Sequence, residues 1–152
     1  MEIRQLTADD LPSLLQLYRQ LDQDNTALSL EKSTVLWETE IASNPNICYF
    51  GAVEQNIVVS TCYAVLIPNL TNGNRSICFV ENVVTDEKYR RQGLARKVIE
   101  AAVAFAKAHH CYKVILQSGV KRTEAHRFYE SIGFDGSTKK AFDMRLPDTK
   151  SL

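Results

Sequence analysis

The sequence lacks several features that would place the chain outside the ordinary globular class. Its 152 residues include only 6 glycines and 4 prolines, which excludes collagen-like and low-complexity structure. No apolar run approaches the roughly 20 residues that a transmembrane helix needs. The 18 basic residues balance the 18 acidic ones, so no net positive field attracts the chain to nucleic acid or to an anionic membrane. We therefore expect neither a nucleic-acid partner nor a membrane partner.

The 4 cysteines form no metal or disulfide pattern. Cys48, Cys62, Cys78 and Cys111 each lie in an apolar, strand-like stretch, and none belongs to a CxxC pair. Zinc sites place cysteines and histidines at short, paired spacings. We therefore predict no metal, and reduced thiols that act as small buried hydrophobic residues. The first ten residues carry charge where a signal peptide would be apolar, and this favours a cytoplasmic protein.

The length favours a single domain over residues 1–152, because compact domains usually contain about 100–200 residues. Apolar residues recur every second position in some segments, which is typical of strands, and every three to four in others, which is typical of helices. The predicted elements, in chain order, are a strand over 2–6, helices over 8–21 and 30–42, strands over 47–53, 57–67 and 75–84, a helix over 93–109, a strand over 112–116, a helix over 123–132 and a strand over 141–146.

The links between these elements determine the fold class. Short polar links join the three strands between 47 and 84, as in an antiparallel meander. A strand, helix and strand from Val80 to Gln117 require a parallel pair with a crossover helix. The predicted fold is therefore α/β of the α+β kind, with a mixed, mostly antiparallel sheet flanked by helices.

The most informative segment follows the strand that ends near Val84. A loop rich in Arg and Lys runs from Asp86 to Gln92 and opens a helix at Gly93. The first turn of a helix has unpaired N–H groups and a partial positive charge, and Gly93 and Ala95 leave room for phosphate oxygens to reach the backbone. The segment has neither the P-loop nor the GxGxxG spacing. It is either an anion site of another kind or a solvated connection.

Two motifs carry a resemblance to a known family. The pattern Arg90-x-x-Gly93-x-Ala95 resembles the (Gln/Arg)-x-x-Gly-x-(Gly/Ala) signature of the GCN5-related N-acetyltransferase (GNAT) family. The stretch from Ala125 to Phe134 is similar to the second family motif, an Ala-x-x-x-Tyr helix that closes in Gly-Phe. The resemblance implies the GNAT-like acyl-CoA N-acyltransferase fold, acetyl-CoA as co-substrate, and direct acetyl transfer to a primary amine of a small molecule or peptide in a ternary complex.

The resemblance also implies the residues that bind the co-substrate. They are Val83, Val84, Thr85, Arg90, Arg91, Gln92, Gly93, Leu94, Ala95, Arg96 and Arg122. Arg122 stands where many relatives have an Asn that contacts the pantetheine arm. An Arg there could pair with a phosphate instead.

Two residues are candidates for proton transfer. An alkylammonium has a pKa near ~10, so a base must take its proton before the amine attacks. Glu81 lies on the strand before the basic loop, where the family often has a base, although a strand carboxylate can equally face solvent. Tyr129 matches the general acid of the family, which protonates the departing thiolate. Its position in an apolar helix stripe is also typical of a core tyrosine.

The acceptor stays open at this point. Trp37 and four carboxylates fall in the region where relatives form the acceptor pocket: Asp22, Asp24, Glu38 and Glu40. A wall of carboxylates would suit a cationic amine, but a solvated helix face accounts for these charges equally well.

Two alternatives to a general amine acetyltransferase remain. Residues 80–95 and 111–116 are similar to glucosamine-phosphate N-acetyltransferases, so an aminosugar acceptor is one of them. The other is a module that binds or senses coenzyme A without turnover. Strand edges near 141–146 would allow a homodimer.

Overall fold

The computed structural model describes residues 1–21 and 28–149. Its strands and α-helices are β1 (Glu2–Gln5), α1 (Leu11–Tyr18), α2 (Leu30–Leu36), β2 (Ile47–Glu54), β3 (Ile57–Ile67), β4 (Ile77–Thr85), α3 (Leu94–Ala108), β5 (Lys113–Leu116) and α4 (Thr123–Ser131). A 3₁₀ turn over Ala8–Asp10 precedes α1, a π-helical turn over Trp37–Ile41 continues α2, and a second 3₁₀ turn over Glu87–Tyr89 precedes α3. The chain forms two compact units, Met1–Leu116 and Gln117–Leu152.

The first unit is built on a sheet whose strands, within the described residues, follow the order β1-β2-β3-β4-β5. Neighbours from β1 to β4 are antiparallel. β4 and β5 are parallel, with Ile77 opposite Lys113 and Val80 opposite Leu116. α3 joins these two strands, so the predicted crossover and the mixed, mostly antiparallel sheet are both confirmed.

The two faces of this sheet carry separate hydrophobic clusters. Leu94, Val98 and Ala102 recur at helical spacing and bury the apolar side of α3 against one face. Leu14 of α1 and Trp37 pack against the opposite face. Val35 and Leu36, two apolar residues of the predicted second helix, do not form its buried side, since both are more than half exposed. The π-helical turn directs the following residue, Trp37, into the core instead.

Two bulges change the strand register. The β2–β3 hairpin turns at Gln55 and Asn56, which both have positive φ, as a two-residue type I′ turn requires. A shift between Ala52 and Val53 then displaces every pair beyond it by one residue. On β4 a second shift leaves Asn82, with φ 51°, and Val83 between pairs where β3 has a single residue. Such bulges re-aim side chains and often occur next to active sites.

The second unit contains α4, which ends at Gly133 with φ 105° as the sequence predicts. The predicted strand over 141–146 is wrong. These residues have no strand geometry, and the side chains of Phe142, Met144 and Leu146 are 85%, 84% and 81% exposed. A strand needs a partner for its backbone groups, and no described strand pairs with this segment. The alternation of apolar and polar residues over 141–146 is therefore not enough to form a strand without a neighbouring strand.

One buried ion pair fastens β1 to the start of α1. Asp10 is 5% exposed and accepts two hydrogen bonds from the Arg4 guanidinium, at 2.7 and 2.8 Å, and one from the Thr7 N–H at 2.8 Å. The Thr7 bond completes a capping box, which agrees with the predicted helix start. Arg4 first of all, and Thr7 after it, hold the pKa of Asp10 below its ordinary value against the opposing effect of burial.

We expect Asp10→Asn to lower the free energy of unfolding at pH 7 by about 2 kcal/mol, because a charged acceptor loses its hydrogen bonds. The folded-state pKa of Asp10 is depressed, so this stability is complete above the ordinary carboxyl pKa of about 3.9 and is lost as the pH falls through the folded value. Urea unfolding between pH 2 and 7 measures both effects. The exposed neighbour Asp9 supplies the control Asp9→Asn, and equal losses in the two variants would contradict the assignment.

Candidate active site

The loop from β4 to α3 is held in place by hydrogen bonds from distant elements. The Gln20 side chain donates to Asp86 Oδ2 at 3.0 Å and accepts from the Glu87 N–H at 3.1 Å. Tyr89 Oη donates to Glu54 at 2.8 Å. Sequence analysis missed Gln20 and Glu54, because a contact spanning 66 or 35 residues leaves no local signal. The loop is therefore preorganised before any ligand arrives.

The end of this loop contains two residues with left-handed backbone. Arg91 has φ 63° and Gly93 has φ 75°, and left-handed residues that alternate with right-handed ones can turn successive N–H groups to one side. The first turn of α3 adds its own unpaired N–H groups from Leu94 onward. A left-handed Arg costs about 1–2 kcal/mol, and such strain concentrates at ligand sites. We call residues 90–95 the cradle.

The charges around the cradle are distributed unequally. Arg90 Nε donates to the Thr85 carbonyl at 3.3 Å, which closes the loop, and Arg96 pairs with Glu100 at 2.8 Å. Within the described part of the chain, the exposed Arg91 guanidinium has neither an ion pair nor a hydrogen bond. A row of N–H groups, a helix N-terminus and an available guanidinium fit a pyrophosphate group. The residues present therefore suit coenzyme A.

β4 has a backbone edge that extends past its pairing with β5. Its last pair with β5 is Val80 with Leu116, and β4 continues to Thr85. Val84 buries its side chain in the cluster that contains Leu14 and Trp37, which we call the α1 cluster. Thr85 Oγ1 lies 2.8 Å from Ser60 Oγ. Beyond the pair of Val80 with Leu116, β5 therefore does not pair with this edge of β4. An extended ligand with amide groups can pair there as a strand would.

Glu81 stands in a row of side chains across three strands. Tyr49 of β2 is opposite Tyr63 of β3, and Tyr63 is opposite Glu81 of β4. Directly opposite residues share a face of the sheet, and Tyr49 packs against the α1 cluster, so this face is the α1 face. Burial raises the pKa of Tyr63, and the negative charge of Glu81 raises it further. Glu81 is half-buried, so it differs from an ordinary solvent-facing carboxylate.

The rings beside Glu81 border a cavity between α1, α2 and the sheet. The ring centroids of Trp37 and Tyr49 are 5.1 Å apart, and the Tyr49 ring stacks on the Tyr63 ring with 4.7 Å between their centroids. The cavity has a volume of about 270 Å³ and is lined by Trp37, Tyr18, Tyr49, Asn82 and aliphatic side chains. Trp37, which falls in the region where an acceptor pocket is expected, lines this cavity. Tyr18, Tyr49 and Asn82 were missed, since nothing in their local pattern distinguishes them from core residues.

The expected wall of carboxylates is not found in the part of the chain that the structure describes. Glu38 and Glu40 are exposed and do not line the cavity. Asp22 and Asp24 lie outside the described residues. The lining that can be described is mostly aromatic and aliphatic, with Ser33 and Asn82 as its polar residues besides the tyrosine hydroxyls.

The second unit carries the two remaining predicted site residues. Arg122 is exposed and precedes α4. Tyr129 is 8% exposed, and its ring lies edge-on to Phe134 at 6.2 Å. His126 contacts the Gly119 carbonyl at 2.8 Å through Nε2. The structure thus places Glu81, Val83–Thr85 and the cradle together in the first unit, and Arg122 and Tyr129 in the second.

The model of the acetyltransferase (GNAT) family matches residues 11–134. The chain belongs to this family. The motifs of the cradle and of α4 both fall inside the matched range, and the resemblance seen in the sequence is confirmed. The chain is accordingly a GNAT acetyltransferase, and its mixed sheet flanked by helices is the fold that its structural neighbours share.

Three relatives show which members of the GNAT family this chain is similar to. A solved structure from Agrobacterium tumefaciens strain C58, named as an acetyltransferase, is 35% identical with a TM-score of 0.89 and covers 96% of this chain and 100% of that one. Glucosamine 6-phosphate N-acetyltransferase of Trypanosoma brucei brucei is 29% identical over 136 residues, 88% of each chain. Aminoglycoside N(6')-acetyltransferase type 1 of Serratia marcescens is 25% identical over 135 residues, 80% of this chain and 92% of that protein.

The thiols of this GNAT chain are poor nucleophiles. Cys48, Cys62 and Cys78 are buried, and Cys111 is half-buried. Burial raises the pKa of the Cys48 thiol to about 11, and that of Cys62 and Cys78 to about 12. Only the thiolate attacks a thioester readily, so an acetyl-cysteine route is disfavoured at neutral pH. The expectation of free, mostly buried cysteines is confirmed.

Two features are absent from residues 1–21 and 28–149. No group of three or more His, Cys, Asp or Glu side chains there is arranged to hold a metal ion. None of the described helices has both the length and the apolar character needed to cross a bilayer.

Proposed function

We propose that this GNAT chain transfers the acetyl group of acetyl-CoA to a primary amine of a small molecule or peptide, by direct attack in a ternary complex. The observation that carries the proposal is the cradle with its left-handed Arg91 and Gly93, which follows the strand that bears Glu81 after one 3₁₀ turn. The chemistry of an anion site beside a half-buried carboxylate suits a phosphorylated acyl donor and an ammonium acceptor. A cytoplasmic location, a single domain and a homodimer stay predictions of the sequence.

The co-substrate would be held by backbone and side-chain groups of different elements. The N–H groups of the cradle from Arg91 to Ala95, together with the Arg91 guanidinium, would bind the pyrophosphate. The open edge of β4 at Val83, Val84 and Thr85 would pair with the pantetheine arm. Arg122 would pair with a phosphate. When bound, acetyl-CoA supplies the acetyl group as a thioester, so transfer forms one C–N bond and breaks one C–S bond.

The proton transfers would fall to Glu81 and Tyr129. An amine is mostly protonated at neutral pH and cannot attack in that form. The Glu81 carboxylate would take the proton from the nitrogen, directly or through one water. The Tyr129 hydroxyl would donate its proton to the sulfur as the C–S bond breaks, and solvent would restore both groups afterwards. Backbone N–H groups near Val83 would stabilise charge on the carbonyl oxygen.

A glucosamine-phosphate acceptor is the second candidate function. The Trypanosoma brucei brucei relative, named for this substrate, is similar over 88% of the chain. This observation supports the aminosugar reading, whereas the lining of the cavity does not.

We expect acetyl-CoA to raise the melting temperature of the protein, and ATP and NAD to leave it unchanged. A ligand at ~100 times its dissociation constant stabilises the native state by about 2.7 kcal/mol, which corresponds to roughly 5–10 °C for a domain of this size. Thermal unfolding with millimolar nucleotide measures the shift, and thiol release in the presence of amines measures turnover.

The matched variant for this test is Gly93→Ala. A Cβ at Gly93 would meet no protein atom within 4 Å, so the substitution acts on the backbone, whose φ of 75° is costly for alanine. We expect the acetyl-CoA shift to fall by more than half in this variant. Gly73 on the β3–β4 loop has φ 70° and equally open surroundings, so Gly73→Ala is the control. Equal acetyl-CoA shifts in the two variants would count against the cradle.

A further inference from the structure

The cavity beside Glu81 carries information about the acceptor that the family assignment does not. Its described lining contains leucines from α1 and α2, three aromatic rings, Ser33 and Asn82, but no Lys, Arg, His, Asp or Glu. A phosphate ester placed there would lose its water without gaining a cation, and such desolvation is costly. Polyamines and aminoglycosides, with several ammonium groups, would likewise find no carboxylate among the described lining residues.

The volume of the cavity limits what fits. About 270 Å³ is at the small end of ligand pockets, which usually range from about 300 to 1,000 Å³. A single ring with a short arm fits this space, whereas an oligosaccharide or a folded peptide does not.

The aromatic rings lead from the cavity to the candidate base. Trp37 lies tilted against Tyr49, Tyr49 stacks on Tyr63, and Tyr63 stands opposite Glu81. Asn82, the residue after Glu81, lines the cavity itself. An acceptor whose ring occupies the cavity would therefore extend its amine along β4 towards the carboxylate. Ring faces also attract an ammonium group by cation–π interaction.

One polar group in the cavity calls for a partner. The Tyr18 hydroxyl is buried, and no atom of the described residues completes a hydrogen bond with it, although the Asn82 side chain is its polar neighbour. Buried hydroxyls are nearly always satisfied, and an exception requires an explanation. A polar substituent on the ring of the acceptor would supply the missing partner.

We infer that the acceptor is a primary amine on a short arm attached to one apolar or aromatic ring, and is not a phosphorylated sugar. The inference rests on the proposed acetyl transfer to an amine. Within that function it assigns the substrate class that the cavity between α1, α2 and β4 recognises.

Trp37 makes the inference testable without turnover, because it is the only tryptophan in the chain and lines the cavity. The wild-type protein is titrated with phenethylamine, tyramine and glucosamine 6-phosphate while tryptophan emission is recorded. Coenzyme A release is then measured with the same three amines and acetyl-CoA. We expect the two aromatic amines to change the emission saturably and to give kcat/KM values at least tenfold above that of the sugar.

The Tyr18→Phe variant tests the orphan hydroxyl. Loss of one hydrogen bond should weaken tyramine binding about fivefold and leave phenethylamine binding unchanged. The control is Tyr112→Phe, at the start of β5, which should alter neither. Equal effects of Tyr18→Phe on both amines would overturn the proposed partner of this hydroxyl.

Two outcomes separate the possible failures. Turnover of glucosamine 6-phosphate with no emission change from the aromatic amines would overturn the acceptor inference and leave the transferase proposal standing. An emission change from the aromatic amines, with no coenzyme A release from any amine, would overturn the proposed function and the acceptor inference with it.

Discussion

Glu81→Gln is expected to lower kcat about 100-fold, which is the usual size of a general-base contribution. The amide keeps the shape of the carboxylate but accepts no proton from an ammonium group. Because Glu81 is half-buried opposite Tyr63, few other groups are placed to take over its role. The measurement is steady-state thiol release at saturating acetyl-CoA and amine, with melting temperature as the check on folding.

A pH profile separates a base from a merely structural carboxylate. The wild type should lose kcat/KM towards acid as the base becomes protonated, and Glu81→Gln should lack the part of this limb that Glu81 causes. Glu2→Gln, an exposed carboxylate on β1, is the matched control and should behave as the wild type. An unchanged rate and an unchanged profile in Glu81→Gln would assign the proton transfer to another group.

Tyr129→Phe is the second variant with a large expected effect, a decrease of roughly 100-fold in kcat. The ring contact with Phe134 survives this substitution, so the expected loss comes from the hydroxyl alone. Without a proton donor the thiolate departs unprotonated, and this raises the barrier to C–S cleavage. Thiol release measures the rate, and acetyl-CoA titration by melting temperature shows whether binding is retained.

The result distinguishes an acid from a core tyrosine. An acid must be protonated to act, so the alkaline limb of kcat should weaken in Tyr129→Phe, whereas loss of packing would lower the melting temperature and leave the limb in place. Tyr112→Phe removes a hydroxyl elsewhere and should leave both quantities unchanged. A Tyr129→Phe enzyme with wild-type kcat would remove Tyr129 as the general acid.

Most elements of the fold were predictable because their signals are local. α3 is indicated by apolar residues that recur from Leu94 to Ala106 at helical spacing. α4 is indicated by its stripe of apolar residues and by Gly133, which lies just after the end of the helix. The same holds for the cradle, because Gly93 has a positive φ, a backbone conformation that few residues other than glycine adopt without strain. These helices and the left-handed backbone at Gly93 were therefore predictable from one sequence.

The row that contains Glu81 was not predictable in the same way. Counting back from the turn at Gln55 and Asn56 pairs Tyr49 with Cys62, but the bulge near Ala52 brings Tyr63 opposite Tyr49 instead. Because side chains alternate between faces, a slip of one residue changes which face each residue joins. The position of this bulge depends on packing between elements far apart in the chain, so it cannot be predicted from the residues around Ala52 alone.

The sequence by itself determined the family, the order of the elements up to α4 and the position of the cradle, because each depends on periodicity or on a backbone conformation encoded within a few residues. Only the tertiary structure decided that Trp37 rather than Val35 and Leu36 enters the core, that Gln20 and Glu54 fasten the loop, and that rings rather than Glu38 and Glu40 line the described part of the cavity. It also decided against a strand over 141–146. These features rest on contacts between residues far apart in the chain, where burial and pairing are settled by the partners available rather than by local preference.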